Sequence, residues 1–329
     1  MPHIHPDVRA VLAAARAAGS KPFETMTPED ARVVYVGRRD FLQLPSAAVA
    51  ERRDVIIAGP GGPLALRLYR GAGTPEGQPL PCVLYLHGGG WVLGNLESHD
   101  GLCCTLASEA ACWVVAVDYR LAPEHPFPAA VEDCAAALAW VAEHAAELAI
   151  DGGRIAVGGD SAGGNLAAVL ALMSRDGAVP RTMYQLLLYP AVDLAITAES
   201  YGEATEGMTI TPATMRYFLD HYVPNGSDRA DWRASPLRAP TLAGVAPAFV
   251  LTCGHDPLRD EGRRYAERLA AEEVPVTTLH LSDQTHGMLT MSKVVSATLP
   301  TLAFVGAQLR DAWRATEAGA SRSAHRSAG

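Results

Sequence analysis

The segment Gly159-Asp160-Ser161-Ala162-Gly163 stands between the apolar run Arg154 to Val157 and the alanine-rich stretch Gly163 to Ser174. A serine held between two glycines where a strand turns into a helix needs a strained backbone, and a Cβ on either flank would collide with its neighbours. The spelling alone is weak, because a glycine-rich turn capped by a serine reads the same way. Its place between strand and helix carries the information. A phosphate-binding loop would need Lys followed by Ser or Thr after the second glycine, and here Gly164 and Asn165 follow. A dinucleotide fingerprint would need a glycine where Ser161 stands.

The rest of the chain repeats the same alternation. Short β-like runs are expected at Asp54 to Ala58, Leu64 to Arg70, Pro81 to Leu86, Cys112 to Asp118, Tyr184 to Tyr189, Pro247 to Thr252 and Val276 to Leu281. Several are almost continuously apolar, as in strands buried on both faces. Helical text lies between them, at Pro128 to Ala146, Leu258 to Glu272 and about Ser296 to Ala315. Strand alternating with helix implies an α/β fold with a mostly parallel sheet. Near the N-terminus, Val8, Val11, Leu12 and Ala15 share a helical face that stops at Gly19, and Thr27-Pro28 caps a second helix. Residues 191–244 break the alternation and read as an inserted cap. Residues 316–329 read as a mobile tail of Ser, Ala, Gly and Arg.

With 329 residues, 49% of them hydrophobic, the chain can bury one large core without staples. A net charge of −9 and the lack of any basic run argue against nucleic acid and anionic membrane as partners. A small-molecule substrate fits better. The N-terminus lacks a basic region followed by an apolar stretch, and no run is long enough to cross a bilayer, so a cytoplasmic location is expected. The six cysteines show no CxxC spacing and read as buried thiols, with no metal or catalytic duty.

His87-Gly88-Gly89-Gly90 ends the run Pro81 to Leu86. Acyl transfer builds negative charge on a carbonyl oxygen, and backbone N–H groups free of side chains can converge on it. Gly88, Gly89 and Ala162 are the expected donors. A serine nucleophile at Ser161 needs a base and an acid that follow it in this chain order. His286, in the polar stretch after the last strand, is preferred over His221, His255, His280 and His325. Asp256, after the run Pro247 to Thr252, is preferred over Asp260 and Asp283, although Asp before Pro257 is also a good helix cap. Trp91, Asp160, Tyr189, Met208, Met215, Phe218, Tyr222 and Met288 are expected pocket walls, with plain core packing as the rival reading.

The HGGG of 87–90, the GDSAGG of 159–164, the run 119–130 beginning Tyr119-Arg120-Leu121-Ala122-Pro123-Glu124, Asp256-Pro257-Leu258 and His286-Gly287 resemble the bacterial hormone-sensitive-lipase family of esterases. The resemblance spans nearly the whole chain. It implies an α/β-hydrolase fold with an eight-stranded sheet, carboxylic ester hydrolysis of short acyl chains and no cofactor. It also implies the triad Ser161, Asp256 and His286, with the oxyanion donors given above. Residues 1–45 and 191–244 would form a helical cap over a core of 46–190 and 245–315. Homodimers are common in such a family, through a sheet edge or a terminal helix. Two positions depart from the pattern: Met288 stands where an aromatic is common, and Trp91 where phenylalanine is frequent. An amidase or peptidase with the same triad, or a non-catalytic small-ligand-binding protein on the same fold, remains the alternative, and retention of His286 speaks against the ligand-binding reading.

Overall fold

The computed structural model describes the backbone of residues 3–203 and 207–327, with side chains up to residue 315. Eight strands form one sheet: β1 (Glu51–Gly59), β2 (Gly62–Arg70), β3 (Leu80–Leu86), β4 (Trp113–Val117), β5 (Ile150–Asp160), β6 (Tyr184–Leu188), β7 (Ala248–His255) and β8 (Val276–Thr285). Their spatial order is β1-β2-β4-β3-β5-β6-β7-β8. β1 pairs antiparallel with β2 and β2 antiparallel with β4, and every later pairing is parallel. This is the mostly parallel α/β architecture expected from the alternation.

β3 shows why such strands are apolar throughout. Cys82, Leu84 and Leu86 enter the core on one face of the sheet, while Val83 and Tyr85 enter the core on the other. Successive side chains point to opposite faces, so a strand covered on both sides must be apolar at every position. Helices α5 (Ala129–Glu143), α6 (Ala162–Arg175) and α8 (Arg259–Ala271) cover the first face. Helices α4 (Leu96–Ala110) and α9 (Thr298–Ser327) cover the second. All six cysteines are buried and unpaired.

Two elements differ from expectation. α4 has no simple apolar stripe, because its buried face includes Ser98, His99, Asp100, Cys103 and Cys104, so hydrophobic periodicity does not reveal it. The backbone of α9 runs on to Ser327, a longer helix than the text about Ser296 to Ala315 implies, and its alanines and arginines favour helix.

Before the sheet, the chain forms α1 (Pro6–Ala17), a 3-10 turn at Phe23–Thr25, α2 (Pro28–Gly37) and α3 (Arg39–Leu42). Between β6 and β7 it forms α7 (Pro212–Tyr222) and short 3-10 turns. Arg32 of α2 donates to the carbonyls of Val92 and Ala122 and forms an ion pair with Glu124 at 2.6 Å. Thr214 of α7 donates to Glu24 at 2.9 Å. The N-terminal segment is thus tied both to the loop after β3 and to the insertion. Among the described residues no helix is long and apolar enough to cross a membrane.

Candidate active site

The strand order brings distant motifs together. β3 and β5 are neighbours, with Leu86 opposite Gly159, so the loop after β3 lies beside the turn after β5. β7 and β8 are neighbours, with His255 opposite Thr285, so Asp256 and His286 emerge side by side. All four connections leave the carboxyl ends of parallel strands, where open α/β sheets form their crevices.

Ser161 stands just before α6 with φ 56° and ψ −116°, a conformation that non-glycine residues adopt only when the surroundings enforce it. The surroundings here are backbone. Ser161 N–H donates to the Leu188 carbonyl at 2.9 Å, and its own carbonyl accepts from Asn165 and Ala191. A Cβ on Gly159 would lie 2.3 Å from the Leu86 oxygen, and one on Gly163 only 1.7 Å from it. The glycines are therefore required by the approach of β3 to the turn.

His286 Nδ1 donates to Asp256 Oδ2 at 2.8 Å, and Asp256 Oδ1 accepts from the Leu258 N–H at the same distance. Asp256 is fully buried and both oxygens are engaged, so the carboxylate fixes the imidazole with Nδ1 protonated and leaves Nε2 to accept a proton. Both Ser161 and His286 line a cavity of about 110 Å³. The other late histidines are occupied elsewhere: His221 with the Tyr217 carbonyl, His255 with the His3 carbonyl, His280 with Thr252. His325 lies outside the described side chains. Asp260 pairs with Arg259, and neither it nor Asp283 meets the imidazole.

Gly88 requires a correction. Its N–H donates to Asp160 Oδ1 at 3.0 Å, which takes it out of use as an oxyanion donor, and it does not line the cavity. Gly89 and Gly90 do line it, and among the described residues their N–H groups have no partner. Both adopt positive φ, 126° and 62°, and a Cβ on Gly90 would strike the Phe218 ring at 2.2 Å. Ala162 is the first residue of α6, so its N–H has no partner within the helix.

Asp160 anchors this loop from below. Burial works to raise its pKa, but His99, the Tyr85 hydroxyl and the Gly88 N–H outweigh that and hold it below the ordinary carboxylate value. Tyr85 donates to it at 2.9 Å, and His99 Nε2 lies 3.2 Å away. His87 is buried against Tyr119, their rings stacked 4.2 Å apart. Burial, reinforced by His99, drives its pKa down to about 3, so it is neutral and structural.

The cavity wall differs from the expected one. Asp160 and Phe218 line it. Trp91, Tyr189, Met208, Met215, Tyr222 and Met288 are buried but do not. Trp91 stacks on Tyr222 at 4.5 Å, and Tyr189 packs 4.8 Å from the His286 ring, behind it in the core. The wall comes instead from Phe23, Tyr35, Arg38 and Leu42 before the sheet and from Thr209 and Ile210 in the insertion. Sequence reasoning missed these because they are scattered over short elements with no local pattern. Gly90 and His99 were legible in principle, the first as the last glycine of its motif. Among the described residues no group of three or more His, Cys, Asp or Glu side chains could hold a metal.

Comparison with known proteins agrees with this geometry. The α/β-hydrolase fold family matches residues 83–290. The chain is 45% identical over 244 residues to the carboxylic ester hydrolase LipN of Mycobacterium tuberculosis, covering 72% of this chain and 64% of LipN. It is 40% identical over 277 residues to esterase LipI of the same organism, covering 84% of this chain and 87% of LipI. Among solved structures, an ester hydrolase from the metagenome of Lake Arreo superposes with a TM-score of 0.90 at 37% identity, covering 94% of this chain and 99% of the other. With the strand order, the serine turn and the glycine loop all in place, the chain belongs to the α/β-hydrolase fold family, in the hormone-sensitive-lipase-like branch that its motifs resemble.

Proposed function

We propose that this protein is a serine carboxylesterase that hydrolyses short-chain esters through an acyl-enzyme on Ser161. The observation that carries the reading is the convergence of Ser161 and the carboxylate-held His286 on one cavity floored by glycine N–H groups. His286 Nε2 takes the Ser161 hydroxyl proton as Oγ attacks the ester carbonyl, with Asp256 holding the ring. Gly89, Gly90 and Ala162 receive the oxyanion, and loss of one such donor costs about 3 kcal/mol of transition-state stabilisation. The C–O bond to the alcohol breaks as His286 returns the proton to it. Water then attacks the acyl-enzyme by the same route and releases the acid.

A volume of about 110 Å³ is small beside the roughly 300–1,000 Å³ of pockets for drug-sized ligands, which favours short acyl chains. Residues 1–45 and 191–244 together act as the cap over a core of 46–190 and 245–315, a division supported by the wall residues each contributes. Six buried thiols without a disulfide suit a cytoplasmic enzyme. A homodimer through α9 is the expected assembly, since Leu299 and Phe304 are exposed on it.

The test is turnover of p-nitrophenyl esters from acetyl to palmitoyl by the wild type and Ser161→Ala. Short esters should turn over, and the variant should lose more than about a thousandfold. Equal rates would refute the role of Ser161.

A further inference from the structure

Two arginines line the cavity, and they differ in what they hold. Arg39 is paired with Asp40 at 3.3 Å and Glu97 at 3.1 Å. Arg38, the residue joining α2 to α3, has no carboxylate partner among the described residues, and its guanidinium donates no hydrogen bond there. It lies over the Phe23 ring, 4.6 Å from the centroid. Burial lowers its pKa from the ordinary arginine value, with the nearby Tyr35 offsetting part of the effect. The carboxylate of Asp160, also in the wall, is already engaged by Tyr85, His99 and the Gly88 N–H.

Arg38 also faces outward. With Leu42, Thr209 and Met291 it lines both this cavity and an apolar groove along α1, so it stands at the opening between them. A guanidinium with unspent donors, set on an aromatic face at the mouth of a reaction cavity, matches a carboxylate in charge and in bidentate geometry. The chain as a whole carries −9 and provides no general attraction for anions, so any such preference must be local.

Resting on the esterase reading above, we propose that Arg38 is a specificity residue that selects esters carrying a carboxylate a few carbons from the scissile bond over neutral esters of the same shape. The carboxylate sits at the cavity mouth against Arg38 while the ester carbonyl reaches Ser161.

Two shape-matched pairs test it: monomethyl glutarate against methyl 5-methylhexanoate, with the charge on the acyl side, and 4-acetoxybutanoate against 4-methylpentyl acetate, with the charge on the alcohol side. In at least one pair the wild type should favour the anion by about tenfold or more in kcat/KM, mainly through KM. That ratio should collapse in Arg38→Gln and be partly kept in Arg38→Lys. Should Arg38→Gln fail to fold, the wild-type ratio still decides: it should fall between low salt and about 1 M salt, where charge attraction is screened. A preference for the neutral ester in both pairs, a ratio unchanged in Arg38→Gln, or a ratio indifferent to salt would overturn the proposal. Turnover of neutral esters without discrimination would overturn this inference alone, whereas failure on all four esters would overturn the esterase reading with it.

Discussion

The floor and the roof of the cavity are built on opposite principles. On the floor, the identity of each residue is dictated by backbone atoms: a Cβ on Gly159 or Gly163 would collide with the Leu86 carbonyl, and Ser161 is held at positive φ by its neighbours. On the roof, Phe23, Leu42 and Ile210 fill space, which many apolar residues could fill as well. The floor is intolerant and defines the chemistry, while the roof is permissive and defines what fits.

Substitutions can break or sharpen that contrast. The largest effect is expected for Asp256→Asn, which keeps the shape but removes the charge that fixes His286. Turnover of p-nitrophenyl acetate should fall by about 10⁴ with little change in thermal stability. A drop below tenfold would mean that Asp256 only caps its helix. Next comes Gly163→Ala, where the added methyl meets the Leu86 carbonyl rather than a movable side chain. Denaturant unfolding should report a loss of about 3 kcal/mol or more, and a neutral result would show the floor to be looser than drawn.

Away from the cavity, Glu261 ties α8 to the start of the insertion, its Oε1 accepting the Val192 N–H at 2.7 Å and the Asp193 N–H at 3.2 Å. Burial raises its pKa from 4.5 to about 8, against the opposing pull of those two N–H groups. The folded state therefore keeps a proton that the unfolded chain releases, so stability is full below about pH 4.5 and is lost as pH rises through about 8. Glu261→Gln should remove that slope and gain a few kcal/mol over the wild type near pH 9. Parallel stability curves for the two proteins would contradict the buried, protonated carboxyl. The smallest effect belongs to the roof: Ile210→Ala should change acetyl-ester kcat/KM by less than about tenfold while moving the preferred acyl chain upward in length.

The same contrast explains what could be read from the sequence. Backbone demands leave spelling behind, so the glycines around Ser161, the glycine run at 88–90 and the apolar strands were legible. Spelling does not reveal that the Asp160 carboxylate takes the Gly88 N–H. Asp256 and His286 could be ordered along the chain, but only the β7–β8 register puts them 2.8 Å apart. Apart from Phe218, the roof was not legible. Its aromatic and aliphatic residues come from a 3-10 turn, two short helices and a loop, none of which has a period of its own, and large residues such as Trp91 and Tyr222 that looked suited to a wall stack on each other instead.

The most direct test of Ser161 as the acyl carrier is covalent labelling by diethyl p-nitrophenyl phosphate, followed by intact mass and peptide mapping. The serine oxygen displaces p-nitrophenolate and keeps the diethylphosphoryl group. One adduct per chain on the peptide containing Ser161, formed in step with loss of esterase activity and absent from Ser161→Ala, is the expected result. Inactivation with the label on another residue, or an unlabelled and fully active enzyme, would contradict it.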